Sequence, residues 1–140
     1  MRSLLLLLLV IFTASATMVQ DNGKVDEDRF AAWHLYTRVL LNLVRAFNEH
    51  DQVSLAKMFK QPLDIHEYLN AHTNTSRLDF RVHSVTEDRN GSDSEYYGFV
   101  DLIVTNGKER KTYPTDLQIS FKMGPLHIKI VSLKRHDGQN

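Results

Sequence analysis

The apolar residues of this chain change their period at Pro62. Between Phe30 and Phe59 they recur every three or four positions: Phe30, Trp33, Tyr36 or Thr37, Leu40, Val44 and Phe47. That spacing lines them up on one face of an α-helix. Val39, Leu41 and Leu43 widen the stripe, so the helix is expected to be covered on more than one side. Asp26, Glu27 and Asp28 stand near its start, where the helix dipole favours negative charge, and Asn48-Glu49-His50 marks its expected end. Asp51 reads as the N-cap of a second, short helix carrying Val53, Leu55, Ala56, Met58 and Phe59, stopped by Lys60-Gln61-Pro62. Beyond Pro62 apolar and polar residues alternate, the mark of a half-buried strand. Leu63, Ile65 and Leu69 suggest a first strand, with a short helix as the alternative. Leu78, Phe80 and Val82 alternate more clearly, and Tyr96 to Val104 is dense in β-branched and aromatic residues. Asn106-Gly107 supplies a hairpin turn, Leu117, Ile119, Phe121 and Met123 alternate again, and Leu126, Ile128 and Ile130 follow Gly124-Pro125. Helices first and an antiparallel meander afterwards predict an α+β domain, N-terminal helices packed on a curved antiparallel sheet.

The first sixteen residues stand outside that pattern. Arg2 is followed by nine consecutive apolar residues, Leu4 to Phe12, and then by Ala14-Ser15-Ala16, with small side chains where a signal peptidase reads them. The apolar run is too short for a membrane span, which takes about 20 residues. Residues 1–16 are therefore read as a secretory signal peptide, 17–27 as a flexible N-terminus, 28–135 as the folded domain and 136–140 as a disordered tail. No later stretch approaches membrane-spanning length, so the expected destination is extracellular. Asn74-Thr75-Ser76 and Asn90-Gly91-Ser92 are sequons in polar stretches, and both Asn74 and Asn90 are expected to be glycosylation acceptors on that route.

Charge and cysteine content narrow the function classes. Lys and Arg number 17 and Asp and Glu 17, and the leader removes only Arg2 from that balance, leaving a net charge of −1. The basic residues are scattered among acids, which argues against nucleic acid as a partner. The chain has no cysteine, so disulfides, thiolate metal clusters and a cysteine nucleophile are excluded. The seven histidines show no metal-ligand spacing, and no cofactor is expected.

The stretch Ala46-Phe47-Asn48-Glu49-His50-Asp51-Gln52-Val53-Ser54-Leu55-Ala56-Lys57-Met58-Phe59 resembles a pattern of the nuclear-transport-factor-2-like superfamily. There a long helix ends in a polar turn with Asp, and a short helix follows with Leu and Phe as anchors. The order of strands downstream is similar too, and residues 28–135 look like the small secreted members found in nematodes. The resemblance implies a cone-shaped cystatin-like half-barrel that hosts isomerases, dehydratases, transport factors and plain binding domains. In isomerase-like members a carboxylate base lies eight residues after the anchoring Phe, which falls on Glu67 here. On the strand reading Glu67 shares a face with Leu63, Ile65 and Leu69, where desolvation would make it a better base. The position of the oxyanion-holding Tyr falls on Val44, which cannot donate a hydrogen bond. Dehydratase-like members use a His–Asp pair, for which His66 or His83 beside Asp64 or Asp101 are the candidates. Strand parity puts both histidines on the polar faces of their strands.

The leading expectation is a secreted, non-catalytic binding domain that takes a small apolar ligand or a protein partner. Trp33, Tyr36, Tyr97, Phe99 and Asp101 are the expected pocket residues. Pairing through the exposed face of the sheet, typical of the superfamily, implies a homodimer to which Phe99, Ile103, Val131 and Leu133 contribute. The alternatives are a small lyase or isomerase working from Glu67 and a cystatin-like protease inhibitor, whose Gln-x-Val-x-Gly motif is absent. Mass spectrometry of the protein secreted by a eukaryotic host should find Thr17 at its N-terminus and glycan mass removable by an amidase at Asn74 and Asn90. An intact Met1 on cell-retained protein would contradict the leader assignment.

Overall fold

The computed structural model describes residues 23–71, 73–123 and 127–137. The elements are α1 (Gly23–Asn48), α2 (Gln52–Met58), α3 (Ile65–Tyr68), β1 (Arg77–Asn90), β2 (Asp93–Asn106), β3 (Glu109–Lys122) and β4 (His127–Arg135). The chain divides into two units, the first ending at Ala31 within α1. The architecture that follows is that of the second, from Ala32 onward. The expected leader lies outside the described residues, as does most of the expected flexible segment. Its last residues, from Gly23, are instead the first turns of α1. No helix among the described residues is long and apolar enough to cross a membrane.

The structure is α+β: helices packed on one face of a four-stranded antiparallel meander in the order β1-β2-β3-β4. The buried line of α1 is Tyr36, Leu40, Leu43 and Phe47, with the small residues Ala32 and Ala46 beside it. Trp33 and Leu41, although apolar, are exposed. The line packs with Val100, Leu102, Leu117, Ile119 and Ile130 of the sheet in one core. Fully burying each such Leu or Ile contributes roughly 1.5–3 kcal/mol.

Local chemistry explains how the helices end. The N–H of Asp51 donates to the Ala46 carbonyl and that of His50 to Phe47, with His50 at φ 57. This paired closure is a Schellman motif, made with histidine where glycine is commoner. Asp51 then caps α2, accepting from the Ser54 N–H at 3.1 Å and the Ser54 hydroxyl at 2.6 Å. Those donors hold its carboxyl below the usual carboxylate range. Asn48, in the last turn of α1, grips β1 as a neighbouring strand would: its amide donates to the Leu78 carbonyl at 3.0 Å and accepts from the Leu78 N–H at 2.8 Å.

Residues 65–68 form a helical turn, so the alternation of Leu63, Ile65 and Leu69 does not mark a strand. Asp64 accepts from the N–H groups of His66 and Glu67, and a second Schellman pair closes the turn, the N–H of Asn70 (φ 49) donating to the Glu67 carbonyl and that of Ala71 to the His66 carbonyl. Capping at both ends outweighs a three-residue alternation.

The sheet is long and locally kinked. β1 and β2 are joined through Gly91 (φ 65) and β2 and β3 through Gly107 (φ 62), conformations that favour glycine. Bulges at His83 and Val131 interrupt the register of β1 and β4. Such insertions increase twist and bend a strand. The β4 edge is partly covered where Phe59 forms a bridge to Ile130 and the Lys60 N–H donates to the Ile130 carbonyl.

At the centre, Tyr36 lies over Gly98. A Cβ on Gly98 would fall 2.3 Å from the Tyr36 ring, so no other residue fits there without moving the helix. The Tyr36 hydroxyl donates to the Leu117 carbonyl at 2.8 Å. Burial, reinforced by the Asp116 charge, pushes the phenol far above its usual ionisation near 10.0. The fold holds only the protonated phenol, so this group's stabilising effect is intact below pH 10 and drains above it, by about 1.4 kcal/mol per pH unit. Tyr36→Phe should cost about 1 kcal/mol at neutral pH yet lose stability less steeply than the wild type above pH 10. Urea midpoints across that range check both signs.

Candidate functional site

The five expected pocket residues do not line one cavity. Tyr36 is wholly buried and Trp33 exposed on α1, whereas Tyr97, Phe99 and Asp101 lie on the face of β2 turned away from the helices. The space that the cone reading leaves open is filled by Tyr36, Leu40, Leu43 and Phe47. Glu67 is exposed on α3, so the desolvation that would make it a base is missing. The carboxylate that does sit on the helix-facing side is Glu87. Its Oε1 takes the Ser94 hydroxyl at 3.0 Å, Arg89 Nε at 3.1 Å and the Tyr96 hydroxyl at 3.4 Å. With three donors on one oxygen, one of them the Arg89 cation, Glu87 braces the β1–β2 hairpin.

A cleft of about 1060 Å³ opens between α2, α3 and the loop at Thr73-Asn74. Its floor is Leu55, Phe59 and Ile65, and its rim includes His50, Gln52, Lys60, Asp64 and His66. Most of this polar chemistry is already engaged. Asp64 caps α3. His66 Nδ1 faces the Ala71 carbonyl at 3.1 Å, which can only accept, so Nδ1 carries the hydrogen and Nε2 accepts from the Gln52 amide at 3.1 Å. The ring also stacks on Phe47 at 4.9 Å. These groups hold the helices together. Asn74 stands exposed at the same rim, and Asn90 is exposed at the β1–β2 turn.

The helix-free face of the sheet is different. His83, at the bulge of β1, keeps the outward side that strand parity gives it, and its Nε2 donates to Asp101 at 2.7 Å. His136 extends the β4 ladder, its N–H donating to the Pro114 carbonyl, and its Nδ1 donates to Asp116 at 2.8 Å. It therefore does not belong to a disordered tail. Both imidazoles stack on Phe99, with centroids at 4.5 Å for His83 and 4.1 Å for His136. Because β1 and β3 flank β2, the rings approach Phe99 from opposite sides. Two carboxylate-tethered histidines thus hold one phenyl ring upright on the sheet.

Beside this clamp runs a groove of about 380 Å³. It lies between two rows of side chains that cross all four strands: Thr86, Tyr97, Gln118 and Ser132 on one side, and Ser84, Phe99, Asp116 and Lys134 on the other. Gly98 and Leu117 form its floor, the same residues that receive Tyr36 from the opposite side. Among the described residues, the hydroxyls of Ser84 and Ser132 and the Lys134 ammonium have no hydrogen-bond partner within the chain. The Gln118 amide donates to Glu95 at 3.2 Å and leaves its carbonyl free. Tyr97 is 45% exposed. Sequence parity places Tyr97, Phe99 and Asp101 on one face and His83 on the polar face of β1, and of the candidate His–Asp pairs it is His83 with Asp101 that forms; His136 leaves no such signal.

No group of acidic and histidine side chains among the described residues is arranged to hold a metal ion. Compared with known protein families, curated proteins and solved structures, the chain matches none of them. Phe99→Ala should release both imidazoles. Their ring protons, shifted upfield by the phenyl ring in the wild type, should move towards free-histidine positions in the proton NMR spectrum; unchanged shifts would show that Phe99 does not organise the cluster.

Proposed function

We propose that this chain is a secreted, non-catalytic binding domain of the nuclear-transport-factor-2-like type, and that it takes a small ligand in the groove across the helix-free face of its sheet. One contrast carries the reading. The interior between α1 and the sheet is packed solid around Tyr36 and the polar groups of the α2–α3 cleft are mostly engaged, while the opposite face offers a hollow with an exposed aromatic ring and unengaged polar groups. Binding sites combine a few apolar walls with a small number of oriented polar groups, and the hollow lies within the usual lower range of about 300 Å³ and upward.

A second copy on this face is less well supported. Leu133 and Ile103, two of the four residues expected to offer an apolar pairing surface, are 6% and 7% exposed. The bulge at Val131 resets the parity of β4 and sends Leu133 into the core. Phe99 is covered on both sides by imidazoles, so the apolar area left for pairing is small.

A fragment screen read by amide nitrogen–proton shifts tests the site. Saturable shifts should gather on Thr86, Tyr97, Gly98, Gln118 and Ser132. Shifts confined to the α2–α3 cleft, or a concentration-dependent dimer by light scattering that broadens the groove residues, would overturn the reading.

A further inference from the structure

Resting on that reading of the groove, we infer that its ligand is a neutral, polyhydroxylated one, a short oligosaccharide lying across the strands. The first argument is the direction and length of the groove. It crosses β1 to β4 at right angles to the strands, a span of three strand spacings, about 14 Å at roughly 4.8 Å each. An extended molecule of a few linked rings fits such a trough, whereas a peptide adding itself to the sheet would need an edge.

The second argument is the kind of polar group on the walls. Ser84 and Ser132 each present a hydroxyl able to donate and to accept, Thr86, whose hydroxyl donates to the Tyr97 carbonyl at 3.3 Å, presents an acceptor, and Gln118 adds a free amide carbonyl. Groups of both capacities, set along both walls, match a ligand that itself carries many hydroxyls. A purely apolar ligand would strip water from Ser84, Ser132 and Lys134 and return nothing to them, a loss that burial of polar groups makes large.

Charge is the third. Asp116 and Lys134 are register partners on β3 and β4, so this wall carries one group of each sign, with Asp116 also taking the His136 ring. The groove therefore selects neither a phosphate nor a cation. A saccharide hydroxyl can donate to Asp116 and accept from Lys134, which gives both charges a neutral partner. The fourth is the Tyr97 ring, 45% exposed on the groove wall, whose face offers an apolar platform for the C–H side of a pyranose ring.

The test titrates the full secreted protein with cellotriose and, separately, with triacetylchitotriose, read by amide shifts and by calorimetry. The expected result is saturable binding in the millimolar range or tighter, with shifts on Thr86, Tyr97, Gln118 and Ser132 and little dependence on salt. Tyr97→Ala should weaken it about threefold to tenfold, the range of one aromatic contact. Gln118→Ala should weaken it too, and gives a second variant should the first fail to fold. Neither trisaccharide binding while apolar fragments still fill the groove would overturn the saccharide inference and leave the site standing. Failure of every probe to shift the groove would overturn the site as well.

Discussion

The fold hangs on how closely α1 approaches the sheet at Gly98. A glycine at that point of β2 leaves room for the Tyr36 ring, and the ring's hydroxyl ends on the Leu117 carbonyl of the next strand. A Cβ there would lift the helix and open a void around it, and interiors close-packed like crystals tolerate neither voids nor overlap. With Tyr36 in place, Leu40, Leu43 and Phe47 fall into line behind it. The hydroxyl must be satisfied because nothing else in that environment can solvate it, and the backbone carbonyl does so.

That contact also shapes the groove on the opposite face of the sheet. The row Val85, Gly98, Leu117 and Leu133 turns its side chains towards the helices, so its backbone faces the other way as the floor of the groove. Filling the helix side makes the floor rigid from beneath. The walls are then the two neighbouring rows, and the one containing Phe99 is stiffened by His83 and His136. A domain with no disulfide obtains this rigidity from packing and from the Asn48 grip on Leu78 at the end of the helix.

Much of this was legible in the residues. The change from helical to alternating period separated the helices from the sheet, Asp51 announced α2, and the parity of Tyr97, Phe99 and Asp101 put them together. The reading failed over residues 63–69, where a brief alternation resembled a strand. The contrary signals were present: Asp64 three residues before Glu67, and Asn70 at the end, an N-cap and a left-handed C-cap. It failed again at the face of β4, because a bulge inserts one residue and inverts every parity beyond it. Leu133 is core for that reason, whereas His83, ahead of the parity change on β1, stays on the polar face expected of it and meets Asp101 there. Glu67 was matched by counting from Phe59, but a helical turn does not carry a strand's alternation.

The sequence alone thus determined the class of fold, helices first and an antiparallel meander after, since that follows from local periodicity and capping. Tertiary structure decided which aromatic ring filled the interior and which stayed outside. Tyr36 and Trp33 are both aromatic and three positions apart, yet only Tyr36 meets Gly98 and a carbonyl to receive its hydroxyl. That choice depends on two residues 62 and 81 positions further along the chain, Gly98 and Leu117, and no local pattern carries it.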